Sequence, residues 1–189
     1  MEKESLSEKL IQCQQGQTEA FSWLAAEYGP RLYRYFYRIT ASQHDAEDLL
    51  QELFVKLIEK IGTYRHQGRF EHWLFSIAAN LARDRGRRRQ RTAKIFTRAG
   101  NFDEKIKMTP ARQASPEENL HRTELHARLQ KALAQLPEAD RRIILMRHYG
   151  QLSFAELAEH FHIPLGTALA KVHRGLKRLQ RIMTENERK

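Results

Sequence analysis

The sequence predicts an all-α fold: two small helical domains joined by a flexible basic linker, the second domain a helix-turn-helix. Three observations carry this. Apolar residues recur at helical spacing nearly throughout the 189 residues, and no run of alternating β-branched residues competes with them. The periodicity fails only from about Thr92 to Pro116, where Gly100-Asn101, Pro110 and Ser115-Pro116 punctuate a basic stretch poor in large apolar side chains. Toward the C-terminus a capping box, a tight turn and a one-sided basic helix follow in order. The expected organisation is therefore a domain over 1–91, a linker over 92–116 and a domain over 117–189.

Element by element, Ser5 with Glu8 forms a capping box ahead of Leu6, Leu10 and Ile11, and Thr18 is placed to cap a helix holding Phe21, Leu24 and Ala25. Gly29-Pro30 reads as a break, after which Leu32, Tyr33, Phe36, Tyr37 and Ile39 mark a third helix. The next helix follows Ser42, with Ala46, Leu49, Leu50, Leu53, Phe54, Leu57, Ile58 and Ile61 as its buried stripe. A loop from Gly62 to Gly68 precedes a helix carrying Phe70, Trp73, Leu74, Ile77, Ala78 and Leu81. The second domain begins near Glu117 with Leu120, Leu125, Leu129 and Leu133, and Pro137 opens a helix with Ile143, Ile144, Leu145 and Met146. Ser153 and Glu156 then box a short helix with Phe154, Leu157, Ala158 and Phe161, residues 162–166 turn the chain, and Thr167 is placed to cap a final helix packed through Ala168, Val172, Leu176 and Leu179.

A formal net charge of +10 is unevenly spread, with eleven basic against three acidic side chains over residues 83–112. Cys13 is the one cysteine, which excludes an intrachain disulfide and a cysteine metal cluster and fits a reducing compartment. The charged start MEKESLSEKL is no signal peptide, and no apolar run reaches membrane-spanning length, so a cytoplasmic protein without membrane insertion is expected. The end just past the last helix leaves no appended sensory domain in view.

The chemistry concentrates in two places. Asp45, Asp48 and Glu52 fall at i, i+3 and i+7, so their carboxylates line one side of a helix, with Glu47 and Gln51 beside it. An ordinary solvated face produces the same pattern. Just downstream, Arg83, Arg85, Arg87, Arg88, Arg89 and Arg91 crowd into nine residues with Asp84 alone opposing them. Capping a helix dipole explains one or two of these cations, and phosphate is the partner that explains six. Opposite charges this close point to two different partners. The final helix repeats the basic theme with Lys171, Arg174, Lys177, Arg178 and Arg181 and no acid before Glu185, as a major-groove helix does.

These residues carry a resemblance. Asp45-Ala46-Glu47-Asp48-Leu49-x-Gln51-Glu52-x-Phe54 resembles the polymerase-binding helix of the sigma-70 family of bacterial initiation factors, and Phe70-x-x-Trp73-Leu74-x-x-Ile77-Ala78-x-Asn80 resembles its promoter-melting helix. Leu152-Ser153-x-x-Glu156-Leu157-Ala158, Ile163-Pro164-x-Gly166-Thr167 and His173-Arg174 resemble its C-terminal helix-turn-helix. The chain resembles the small extracytoplasmic function group in particular, over about residues 8–91 and 117–183, and three motifs in register make the resemblance highly specific. The resemblance implies that Asp45, Glu47, Asp48, Leu49, Gln51 and Glu52 bind core RNA polymerase. It implies that Tyr64, Trp73, Ile77 and Asn80 hold the melted minus-ten strand of promoter DNA, with Arg83, Arg85, Arg87, Arg88 and Arg89 on upstream phosphates. Trp73 has two readings, as a wedge against the last paired step and as a core aromatic. Thr167, Leu169, Ala170, Lys171, His173, Arg174, Lys177 and Arg178 face the minus-thirty-five element by the same resemblance, the linker fills the RNA exit channel, and an anti-sigma factor is implied as a further partner. Ser76 departs from the family's usual Arg, and Leu169 and Ala170 stand where a basic residue and Ser are common.

No enzyme is read here. There is no phosphate-cradling glycine loop and no paired acid and base, His160 and His162 do not make a metal site, and no cofactor is implied. The rival reading is a conventional helix-turn-helix regulator with an N-terminal sensing or dimerising domain, which accounts for residues 117–183 but leaves the acidic helix and the arginine run without a joint purpose.

Overall fold

A computed structural model describes residues 5–96 and 116–185, with side chains for 5–91 and 124–185. The expected linker lies largely outside these residues, as does the Leu120 side chain. The described residues form helices α1 Leu6–Gln14, α2 Thr18–Thr40, α3 Gln43–Ile61, α4 Phe70–Phe96, α5 Pro116–Ala134, α6 Glu138–Tyr149, α7 Phe154–Phe161 and α8 Leu165–Glu185, and no strand.

Local chemistry sets most of the starts. The Ser5 backbone N–H donates to Glu8 Oε2 at 2.6 Å while Ser5 Oγ accepts from the Glu8 N–H at 3.3 Å, closing the first capping box. Ser42 Oγ accepts from the Asp45 N–H at 3.2 Å and starts α3, and Ser153 with Glu156 repeats the box at α7. Two expected caps are displaced. Thr18 is the first helical residue of α2, after Gln17, which makes no side-chain cap. Thr167 lies inside α8, because Pro164 O already accepts from the Thr167 and Ala168 N–H groups at 2.9 and 3.0 Å. The turn of the helix-turn-helix is correspondingly short, with His162 in the left-handed region at φ 52°.

The larger correction is at Pro30, where α2 runs straight through the expected break. Pro30 faces solvent, and so does Ala26, whose carbonyl loses the proline's missing N–H and can be met by water. Buried Tyr28, Gly29, Leu32, Tyr35 and Phe36 on the other side hold the helix in one piece. Packing outweighs the local break signal.

In the N-terminal unit α2, α3 and α4 enclose Leu24, Leu32, Tyr35, Phe36, Leu49, Leu53, Leu57, Phe70, Leu74 and Phe75, each contributing about 1.5–3 kcal/mol for a fully buried large apolar side chain. Ile58 turns out of this stripe, 57% exposed, and Leu125 and Leu176 are likewise exposed on α5 and α8. The loop before α4 is tied down by Gln14, whose Nε2 donates to Ile61 O at 3.0 Å and Tyr64 O at 2.8 Å. In the C-terminal unit α6 lies against α8, where a Cβ on Gly175 would stand 2.6 Å from Ile144 Cδ1, so glycine permits the close helix approach.

The two units pack on one another through α2, α4 and α6, and their buried residues form one continuous cluster. Arg38, 5% exposed, donates to His126 O at 3.1 Å and Gln130 Oε1 at 3.2 Å, and Gln130 Nε2 returns a bond to Arg38 O at 3.2 Å. Arg31 donates to Tyr149 O from Nε and Nη2 at 3.1 and 2.8 Å and pairs with Glu71 at 2.7 Å. Arg69 pairs with Glu156 and Glu159 of α7.

Candidate nucleic-acid interface

The acidic helix and the arginine run, read from sequence as meeting different partners, first meet each other. Asp45 is 7% exposed, with Arg85 Nη1 at 2.9 Å from Oδ1 and Arg89 Nη1 at 2.7 Å from Oδ2. Asp48 Oδ2 receives Arg85 at 3.4 Å. In this arrangement Asp45 is a tether between α3 and α4 rather than a free docking charge, and Arg85 and Arg89 are occupied. Leu49, named in the docking set, is completely buried and acts by packing α3 into the core. What α3 presents outward is Glu47, Gln51 and the half-exposed Glu52, joined by Val55 and Ile58 at 56% and 57% exposure. The sequence reading missed Val55 as a surface group. Its signal is the i, i+4, i+8 alignment with Glu47 and Gln51, which puts a β-branched residue on a polar ridge.

On α4, Trp73, Ile77 and Asn80 share one face at i, i+4 and i+7. Tyr64 joins only its upper end. Its ring tilts against Trp73 at 4.6 Å and meets Phe70 edge-on at 5.6 Å, and burial pushes its hydroxyl pKa above the usual value. Trp73 is half-buried: its ring packs on Tyr64 and Phe70, as the core reading expects, and part of it stays exposed. Asn80 is exposed two turns further on, about 10 Å along the axis. Its Oδ1 accepts from Arg83 Nη2 at 2.8 Å. The stripe is open to solvent at Asn80, while Tyr64 belongs to its wall. Arg87 and Arg88 are exposed at the basic end of the helix.

On α8, Leu169 is 45% exposed, Ala170 and Thr167 are half-buried, and His173, Arg174, Lys177 and Arg178 face solvent. Lys171 pairs with Asp140 of α6 at 3.6 Å, which draws it toward the protein. Arg174, Lys177, Arg178 and Arg181 line one open basic groove along the helix.

Ser76 makes a contact the sequence could not reveal. Its Oγ lies 3.1 Å from His160 Nδ1, where α4 meets α7. Burial holds His160 down to about 4, helped by His72, Arg142, Arg83 and His162 around it. Among the described residues no group of three potential metal ligands forms. A pH dependence follows. The packed form keeps His160 neutral while a separated form lets it titrate near 6.5, so the contact is at full strength above about 6.5 and weakens as pH falls toward 4. Glu156 and Glu159 lose their charge only below the usual carboxylate value. For Glu156, burial opposes this and the Ser153 hydrogen bonds outweigh it; for Glu159, the Arg69 bond does so. Energy transfer between dyes on the two units should therefore fall between pH 6.5 and 4.5, and His160→Gln should remove that step. A flat profile in the unsubstituted chain would contradict it.

Comparison with known proteins gives this geometry a setting. The Sigma-70 region 2 family matches residues 24–92 and the Sigma-70 region 4 family matches residues 126–179. The chain is 36% identical over 161 residues to the ECF RNA polymerase sigma factor SigE of Mycolicibacterium smegmatis, covering 84% of this chain and 60% of that relative's length. It is 32% identical over 172 residues to the RNA polymerase sigma factor CarQ of Myxococcus xanthus, covering 91% of this chain and 94% of the relative. In fold it is similar to the sigma factor RpoE solved with the anti-sigma factor NepR from Bartonella quintana, with a TM-score of 0.70 at 23% identity over 88% of this chain and 98% of that one. The region 2 match spans both the acidic helix and the aromatic helix, which the rival regulator reading leaves unexplained. With both matched regions falling on the two helical units, in order, the chain belongs to the extracytoplasmic function group of the sigma-70 family of RNA polymerase sigma factors.

Proposed function

We propose that this sigma factor recruits core RNA polymerase through the outer ridge of α3 and opens promoter DNA along the exposed stripe of α4. The observation that carries this is the adjacency of the two faces. The Asp45–Arg85 and Asp45–Arg89 pairs lock α3 to α4, so a polymerase docked on Glu47, Gln51, Glu52, Val55 and Ile58 holds the Trp73, Ile77 and Asn80 stripe in a fixed place. Residues 1–91 serve polymerase binding and minus-ten opening, 92–116 link, and 117–189 read the minus-thirty-five element. Arg83, Arg87 and Arg88 supply phosphate contacts, while Arg85 and Arg89, placed on phosphate by the sequence resemblance, stay on Asp45 and add their positive charge to the same face. On α8, Leu169 offers a thymine methyl contact in place of a cation's bidentate grip on guanine, so Arg174, Lys177 and Arg178 give affinity more than base choice. Reading two promoter elements requires the two units to part. The protein works in the cytoplasm, and an anti-sigma factor is its counterpart, as in the solved complex of RpoE with NepR; among the described residues no helix is long and apolar enough to cross a membrane. No catalytic step is assigned to it.

Asn80→Ala tests the opening stripe. Loss of an amide that pairs with a base edge should relax the preference at one minus-ten position by about 1–3 kcal/mol, with other positions unchanged, in a binding assay over single-base promoter variants. A uniform fall across all variants would mean that Asn80 only positions Arg83.

A further inference from the structure

Between α4 and α6, where the two units meet, lies a cavity of about 170 Å³ with Arg83, Arg85 and Arg89 on one side and Arg141 and Arg142 on the other. Glu138 is the acidic residue of its lining. The five guanidinium groups are unequally compensated. Arg85 and Arg89 reach Asp45, while Arg142 has Glu138 at 3.9 Å and Arg83 has Asp84 at 3.9 Å, both beyond hydrogen-bond reach. Arg141 pairs with no carboxylate among the described residues. The Nε atoms of Arg83 and Arg141 are both shut off from solvent without an acceptor. A charged donor lacking an acceptor is costly, and these two guanidinium groups line one cavity from different helices, where a ligand that brings several anionic oxygens to their outer nitrogens compensates both.

We propose that this cavity binds a compact, multiply charged phosphate anion of the diphosphate type, which bridges α4 to α6 and fastens the two units together. Planar guanidinium forks suit phosphate oxygens, and the three not held by Asp45, those of Arg83, Arg141 and Arg142, exceed what one singly charged anion satisfies. The volume is below the roughly 300–1,000 Å³ of sites that enclose whole organic ligands, so the phosphates enter and any attached group stays outside. The bound anion occupies Arg83 and joins the units that must part over DNA. It therefore opposes duplex binding, a consequence that rests on the promoter reading, whereas the site itself does not.

Titration calorimetry of the full chain with inorganic diphosphate at low ionic strength tests the site without polymerase or DNA. One diphosphate should bind per chain and raise Tm, and Arg141→Met should weaken binding about ten-fold or more, as loss of a charge-assisted bond does. Because Arg141 is half-buried and pairs with no carboxylate among the described residues, the free Arg141→Met variant should be at least as heat-stable as the unsubstituted chain, which separates lost binding from lost folding. Arg178→Met, in the open groove of α8, should leave the titration unchanged. ADP binding more tightly than diphosphate, with the same loss in Arg141→Met, would assign the site to the diphosphate end of a nucleotide, and weaker ADP binding would assign it to the free anion. Equal weakening by Arg178→Met and Arg141→Met, or no saturable binding, would overturn the proposal by reducing the effect to surface charge.

Discussion

Glu47→Arg together with Glu52→Arg is expected to weaken binding to core RNA polymerase by roughly 30-fold or more, because unmatching charges at a desolvated interface costs about 2–5 kcal/mol. Neither carboxylate touches α4. Glu47 Oε1 accepts only from Gln43 at 2.8 Å, and Glu52 pairs with Lys56 at 3.6 Å within its own helix. The fold should survive, and circular dichroism should be unaltered. Asp48→Arg would be a poorer test, since it would also thrust a cation against Arg85. Fluorescence anisotropy of the labelled chain against core enzyme reads the effect, and equal affinity for the two proteins would return this ridge to an ordinary solvated face.

The largest expected loss of stability is at Phe75. Its ring is fully buried, meets Tyr35 edge-on at 5.6 Å and lies under the Arg31 guanidinium at 5.6 Å. A Cβ on Gly150 would stand 3.0 Å from its Cγ, so the ring also abuts the C-terminal unit. Phe75→Ala removes packing from both sides, and about 3–5 kcal/mol should go with it. Because Arg31 binds Tyr149 O over that ring, the substitution should also loosen α6 from α2. Urea unfolding should show a lower midpoint, and energy transfer between the units should drop. An unfolding free energy within about 0.5 kcal/mol of the original, the range of neutral surface changes, would mean that the ring fills no essential space.

How much of this was legible in the sequence follows from the range of each interaction. The caps at Ser5 and Ser153 were readable because donor and acceptor sit three residues apart, and the helical stripes were readable because burial repeats with the turn. Pro30 misled because a local break signal carries no knowledge of Tyr28, Leu32 and Phe36 packing on the far side of α2. Ile58 and Leu176 misled for a related reason: periodicity shows that a residue can face the core, and only the neighbouring helices decide whether a core is there. The proposed docking and DNA residues were legible as charges and aromatics, but their pairing was not. Nothing in the order of residues says that Arg85 and Arg89 turn back to Asp45, or that Ser76 meets His160 across 84 positions. The departure at Ser76 was visible as a missing cation. That it makes room for a contact between the units was not.

The central claim is that this chain confers promoter-dependent initiation on a polymerase. Run-off transcription with purified core RNA polymerase measures that most directly, on a library of templates randomised at both promoter elements. Core enzyme with the chain should yield discrete transcripts from a subset of templates, enriched more strongly at the minus-ten than at the minus-thirty-five positions, while core enzyme alone yields none. Transcription that is the same with and without the chain, or a template set bound by the chain but never transcribed, would contradict it and return the protein to the class of conventional DNA-binding regulators.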